Sequence, residues 1–251
     1  MNLGKPFAKG NTAEIYLHQN KIVKVFHDHL PDGESSYEAK KQTYAHSCGL
    51  PVPEVYDVST INGRQAIIME FVNGRTLGEM LLEDRGQAAH YMELAVDIQR
   101  VIHQIVADSF ESMAVKLRRK IEFAPQLNTK YKSALLQKLS MLTSKNHLCH
   151  GDFHLFNIMM TETNEVMIID WVDSSAGDIL ADVYRTYLLY TQYDQELAEM
   201  YLRIYCKKSG FTREEIMEWA PIIAGARLSE NVSWERNERL MEVVERHCFL
   251  K

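Results

Sequence analysis

Short apolar runs separated by turn residues mark the first seventy or so positions, and apolar residues three and four apart mark most of the rest. Ile15-Tyr16-Leu17 and Ile22-Val23-Lys24-Val25-Phe26 flank His18-Gln19-Asn20-Lys21, which predicts a hairpin. A helix is expected from about Glu34 to Ser47, stopped by Gly49 with Pro51 and Pro53 beyond. Val55–Ser59 and Arg64–Phe71 predict two strands around the turn Asn62-Gly63. Thr76 is placed to cap a helix through Glu83, and longer helices are expected around His90–Ala107, Ser112–Phe123 and Thr129–Thr143. A short β-like region, His147 to Val172, interrupts them, and helices resume from about Ile179. The pattern predicts an α+β protein divided near Val72-Asn73-Gly74, with a β-rich part over 1–72 and a mainly helical part over 73–251. A cleft between two such lobes is a preferred place for a small ligand.

Composition narrows the class. A chain of 251 residues, 46% hydrophobic and 25% charged, can bury a substantial core and is typical of a soluble globular protein. The net charge of −6 argues against nucleic acid as a partner, because binding phosphate backbones needs a basic surface. Cys48, Cys149, Cys206 and Cys248 form no close pair, so neither a zinc site nor a redox motif is expected, and their scatter suits a reducing cytosol. Met1 to Asn11 lacks the apolar core of a signal peptide, and no apolar run approaches the roughly 20 residues that span a bilayer. A cytoplasmic protein with no membrane partner is the expectation.

The interrupting β-like region carries the candidate chemistry. His150-Gly151-Asp152-Phe153-His154-Leu155-Phe156-Asn157 is followed by Val166-Met167-Ile168-Ile169-Asp170. An Asp beside a Gly is often only a turn residue. Here, however, Asn157 opens the apolar stretch Ile158-Met159-Met160, and Asp170 closes the next one. Alternation puts Val166, Ile168 and Asp170 on one face, where a carboxylate is costly unless paired or bound to a metal. The hard oxygens of Asn157 and Asp170 suit Mg²⁺. Phosphoryl transfer from a nucleotide needs such a set: one carboxylate facing the acceptor hydroxyl, and an Asn and an Asp to hold metal ions on the phosphates.

His150-Gly151-Asp152 with Asn157, followed by Ile168-Ile169-Asp170-Trp171, closely resembles the aminoglycoside phosphotransferase and choline kinase-like family, within the protein-kinase-like fold. The resemblance runs along most of the chain. Leu50-Pro51-Val52-Pro53-Glu54-Val55 is similar to that family's link from helix to strand, and Met69-Glu70-Phe71-Val72-Asn73-Gly74 to its interlobe hinge. Gly177-Asp178-Ile179-Leu180-Ala181-Asp182 is similar to its helix start after the metal-binding Asp. The fold implied is bilobal, with a small β-rich lobe and a larger helical one.

The resemblance also implies roles. Asp152 would orient the acceptor hydroxyl and take its proton, Asn157 and Asp170 would ligate Mg²⁺, and His150, with Asp182, would support the loop. Lys24, which by alternation shares a face with Ile22 and Phe26, would bind the phosphates of ATP or GTP with Glu38 as its partner. An edge-strand lysine, and a surface pair of Glu38 with Lys41, are the alternatives read from pattern alone. Gly10, Asn11 and Thr12, in the loop Lys9–Glu14, would cover the phosphates; one glycine makes this a weak motif, and a plain hairpin turn is the other reading. Met69, Glu70, Phe71 and Val72 would offer backbone groups to the nucleotide base.

Departures from the family pattern bear on the acceptor. Leu155-Phe156 stands where the family often has Pro-Gly, so Phe156 must find somewhere to pack. Gly151 replaces an Arg that in many protein kinases pairs with a phosphorylated activation loop, and only Trp171 to Gly177 separate Asp170 from the next helix. Both favour a small-molecule hydroxyl acceptor. Asp173, Glu230 and Glu235 would form an acidic pocket for a cationic acceptor, with Trp219 and Trp234 as aromatic faces; solvated acids and core tryptophans are the plainer reading. A catalytically silent nucleotide-binding protein with the same fold, and a protein kinase, are the competing functions.

Overall fold

Gln19 and Asn20 have φ of 50° and 57°, and Asn62 and Gly63 have 51° and 83°. Consecutive positive φ values are what tight hairpin turns require, so both expected hairpins form. A computed structural model describes residues 3–10, 12–142, 145–230, 232 and 235–248. The strands β1 (Ala8–Lys9), β2 (Ala13–His18), β3 (Lys21–Phe26), β4 (Val55–Ile61) and β5 (Arg64–Glu70) build an antiparallel sheet in the order β1-β2-β3-β5-β4. Helix α1 (Glu34–Ser47) matches its expected bounds, between Gly33 at φ 87° and Gly49 at φ 78°.

Strand alternation sorts the sheet's side chains into two cores. Phe26 and Ile67 pack with Ala39 of α1, whereas Val23 and Val25 pack with Ile61 and Ala66. β3 is a central strand, so an edge position for Lys24 is excluded.

The chain then forms β6 (Gly74–Thr76) and α2 (Leu77–Glu83). Thr76 caps α2 as expected: its hydroxyl accepts from Glu79 N at 3.1 Å, and the Glu79 carboxylate accepts from Thr76 N at 2.8 Å. The division near residue 72 is not the one the contacts draw. The first unit comprises Met1–Glu83 together with Leu155–Asp173, and the second Asp84–His154 together with Ser174–Lys251. The reason is pairing: β6, β8 (Ile158–Thr161) and β9 (Val166–Ile168) make a three-stranded sheet in the order β6-β8-β9, and Ile168 N donates to Pro51 O at 2.8 Å.

Phe156 packs within this first unit. Its ring lies against Gly78 of α2 so closely that a Cβ there would sit 2.5 Å from the ring carbons. The absence of a side chain at 78 accommodates the departure from Pro-Gly.

The second unit contains α3 (Ala88–Ile102), α4 (Met113–Phe123), α5 (Thr129–Met141), α6 (Ile179–Tyr193), α7 (Gln195–Ser209), α8 (Arg213–Met217), α9 (Ala220–Arg227) and α10 (Asn237–Cys248). The short strands β7 (His147–Cys149) and β10 (Ser175–Gly177) pair antiparallel. Helix α3 ends five residues before the expected Ala107, because Val106 bridges to His147 and Ala107 N donates to Asn146 O. Every residue of α6 from Leu180 to Tyr190 is buried, so it is a central helix rather than a surface one. No helix among the described residues is long and apolar enough to cross a membrane.

Gly78→Ala is expected to destabilise the protein by about 1–3 kcal/mol in urea unfolding, through overpacking against the Phe156 ring. Phe156→Ala in the same chain should recover part of that loss, and strict additivity would contradict the packing assignment.

Candidate active site

In the first unit, alternation along β3 turns Lys24 to the side of Phe26, towards α1. There Lys24 Nζ donates to Glu38 Oε1 at 2.5 Å, and both side chains are largely buried. The competing partner, Lys41, is engaged elsewhere: its Nζ donates to Val172 O at 2.9 Å and lies 4.3 Å from the Tyr37 ring centroid. Burial alone would lower the Lys24 pKa, but the charges of Asp170 and Glu38 outweigh it and hold the pKa above its ordinary value. Burial pushes the Glu38 carboxyl up against the downward pull of Lys24. With two acids beside it, Lys24 keeps its positive charge at neutral pH.

Asp170 does not continue β9. Its φ is 64°, a left-handed conformation that a residue with a side chain adopts only at a cost. The alternation that put it on the face of Val166 and Ile168 therefore fails two residues beyond the strand. The carboxylate is partly exposed, but its Oδ1 is sheltered, has no hydrogen-bond partner, and has Lys24 Nζ at 3.9 Å. Ile169 N donates to Asn157 O at 3.0 Å, just past the Ile158–Ile168 pair. Asn157 and Asp170 thus flank the same end of the β8–β9 ladder. A sheltered carboxylate oxygen with no hydrogen bond, and a buried amide side chain at the same ladder end, are donor types that fit a hard divalent cation. Trp171, directly after Asp170, is fully buried and donates its indole N–H to Ile168 O at 3.1 Å.

In the second unit, β7 leads into His150, Gly151 and Asp152. The fully buried Asp182, in the first turn of α6, accepts Gly151 N at 2.7 Å and His150 N at 3.3 Å. Its Oδ2 is also 2.9 Å from His103 Nε2 and 3.1 Å from Gln99 Nε2. Burial would raise the Asp182 pKa, but His103 leads the groups that hold it below the ordinary carboxylate range, followed by the Gly151 amide and Gln99. His103 Nδ1 lies 3.1 Å from the Tyr205 hydroxyl. Cys149 is near the same cluster, and burial pushes its thiol pKa well up. These hydrogen bonds account for the His103, Cys149 and Asp182 cluster as support for the loop. Asp152 N lies 3.3 Å from His150 Nδ1, and the half-buried Asp152 carboxylate lies 3.5 Å from His154 Nε2.

The remaining candidates fall as follows. Gly10 and Thr12 sit in the β1–β2 turn, where Gly10 N donates to Ala13 O at 2.9 Å, and Thr12 O accepts His27 N at 2.9 Å just beyond the β2–β3 pairing. Asn11 and Trp234 lie outside the described residues. Met69 and Glu70 end β5, with Glu70 N donating to Glu54 O at 2.9 Å, and Phe71 and Val72 follow it half-buried. Asp173 closes the first unit.

Of the acids expected to form a pocket with Asp173, Glu230 and Glu235 are held in ion pairs. Glu230 accepts Lys120 Nζ at 2.8 Å, Arg185 Nη2 at 3.0 Å, and Arg227. Glu235 pairs with Arg227 at 2.5 Å and Arg239 at 3.2 Å. Trp219 is a core residue. Sequence reasoning missed His103, His154 and Arg185. His154 lies two residues after Asp152 in the motif, and Arg185 three residues after Asp182 on an expected helix.

A five-stranded antiparallel sheet with one helix, followed by a mainly helical unit, is the architecture of protein-kinase-like phosphotransferases. The chain belongs to the phosphotransferase enzyme family, whose sequence model matches residues 4–219. It is therefore a small-molecule kinase by family. No curated protein matches it in sequence. Among solved structures, a thermostable mutant of the aminoglycoside phosphotransferase APH(4)-Ia, in ternary complex with ADP and hygromycin B, is similar at TM-score 0.72 and 13% identity, covering 97% of this chain and 93% of that one. The choline kinase LicA from Streptococcus pneumoniae is similar at TM-score 0.66 and 16% identity, covering 96% and 92%. An aminoglycoside-3'-phosphotransferase of type VIII is similar at TM-score 0.62 and 20% identity, covering 90% of each chain.

Lys24→Met leaves Glu38 buried without its cation and is expected to cost about 3 kcal/mol in chemical unfolding. The depressed pKa of Asp182 gives a pH signature. Its contribution is fully present above the unfolded value near 3.8 and is lost as pH falls through the lower folded value. Asp182→Asn should therefore lower Tm at neutral pH and flatten the acid side of the Tm–pH curve below about pH 4, which parallel scans carried down to about pH 2 would read.

Proposed function

We propose that the protein transfers the γ-phosphoryl group of ATP or GTP to a hydroxyl of a small molecule. The observation that most supports this reading is the ionised Lys24, held between Glu38 and Asp170. A lysine fixed in this way offers a localised positive charge to nucleotide phosphates. Gly10, Asn11 and Thr12 would lie over those phosphates, and Met69 to Val72 would receive the base.

Asn157 and Asp170 would hold Mg²⁺, which when bound neutralises phosphate charge. Asp152, with His154 beside it, would align the acceptor hydroxyl and take its proton. The role asks for no strong base, because a loose transition state needs positioning more than early proton removal.

The acceptor needs no positive charge in this reading. Glu230 and Glu235, the acids invoked for a cation, already have arginine and lysine partners. Asp173 is the acid that such an acceptor would have to use. Structures that share the fold include one with ADP and hygromycin B and a choline kinase, which places aminoglycosides and amino alcohols in the test panel with homoserine and sugars.

An ADP-release screen over that panel, with Mg²⁺ and either ATP or GTP, is the decisive experiment. One acceptor class is expected to raise ADP release, and Asp152→Ala should lower its turnover by about 10²–10⁴-fold while nucleotide binding persists. Undiminished turnover in Asp152→Ala would overturn the role given to that residue. Mg²⁺-dependent nucleotide binding without turnover on any acceptor would overturn the kinase reading in favour of a silent nucleotide-binding protein.

A further inference from the structure

Helix α6 holds the chain on both sides of the Gly151 Cα. The peptide before it donates its N–H to Asp182 Oδ1 at 2.7 Å. The peptide after it is held by its carbonyl, which accepts Arg185 Nε at 3.1 Å. Asp182 and Arg185 are three residues apart, so they emerge on one face of α6. Peptide groups are rigid planes, and the only soft angles between these two are φ and ψ of Gly151. That φ is 81°, in the left-handed region that glycine enters without cost. Glycine is also the residue with most freedom to leave it. The second plane carries the amide nitrogen of Asp152, so anchoring that plane sets where the Asp152 Cα stands.

Arg185 is itself held. It is nearly buried, and its Nη2 donates to Glu230 Oε2 at 3.0 Å. Glu230 is steadied in turn by Lys120 and Arg227. A guanidinium has a planar fork that serves a carbonyl and a carboxylate together, whereas an ammonium is a single point.

We propose that Arg185 is a positioning residue for Asp152, acting through the Gly151 carbonyl, with Glu230 holding the guanidinium in place. The proposal rests on the reading that Asp152 faces the acceptor hydroxyl. It does not make Arg185 a substrate contact.

The test compares wild type, Arg185→Gln and Arg185→Lys in the full-length protein by two readouts. The first, backbone amide hydrogen exchange, needs no turnover. Exchange at Asp152 should quicken by about ten-fold or more in Arg185→Gln, with little change at Leu148, whose N–H is bound to Ile105 O in the same unit. An unchanged Asp152 amide would overturn the proposal. An equal rise at Leu148 and Asp152 would also overturn it, because Arg185 would then serve only global stability.

The second readout is steady-state kinetics with the acceptor found in the screen. Arg185→Gln should lower kcat by about 10–100-fold with the nucleotide KM nearly unchanged, and Arg185→Lys should recover only part of the loss. A fall in nucleotide affinity with kcat retained would overturn the assignment. If the wild-type protein turns over no acceptor, the proposed function fails, and amide exchange alone decides the role of Arg185.

Discussion

One buried carboxylate sets the terms for the second unit. Asp182 has no access to solvent, so its charge survives only if enough donors converge on it. His103, Gln99 and the amides of His150 and Gly151 meet that requirement. Its place in the first turn of α6 adds the favourable end of the helix dipole. The electrostatic demand of one side chain thereby becomes a geometric constraint on a loop thirty residues upstream. His150 and Gly151 cannot move without leaving part of a buried charge unsatisfied. The loop's polar residues inherit their positions from that constraint.

The first unit satisfies a different demand. Lys24 lies in a central strand, where a cation must be paired, and Glu38 pairs with it at close range. Asp170 stands farther off, with one oxygen lacking a hydrogen-bond partner and its backbone in a costly conformation. Strained backbone and under-satisfied polar atoms are where a fold gives up stability, and they cluster at functional positions.

How much of this was legible depended on the range of each interaction. Local rules found the two hairpins, the Thr76 cap and the full extent of α1. Strand alternation also placed Lys24 on the face of Phe26, because a period of two continues as long as the strand does. The same rule misplaced Asp170, where the strand had already ended and the backbone takes a positive φ. The ion pairs of Glu230 were not legible at all. Their partners Lys120 and Arg185 come from helices 110 and 45 residues away, and no periodicity encodes them. The acidic pocket was inferred from charges whose neutralising partners were invisible. Arg185 escaped notice for a related reason: a side chain bound to a backbone carbonyl leaves no residue-type pattern at its partner.

The first unit is built from two separate lengths of chain, with Leu155–Asp173 returning to pair β8 with β6 and Ile168 with Pro51. This has a consequence for the order of events on the ribosome. The β1–β5 sheet can pair once Glu70 has emerged, but the unit lacks strands β8 and β9, and Asp170 itself, until the first segment of the second unit, Asp84–His154, has been synthesised. Lys24 and Glu38 then wait through about a hundred residues of translation for their third partner. A chain that synthesises its lobes in this interleaved order ties the maturation of one to the emergence of the other.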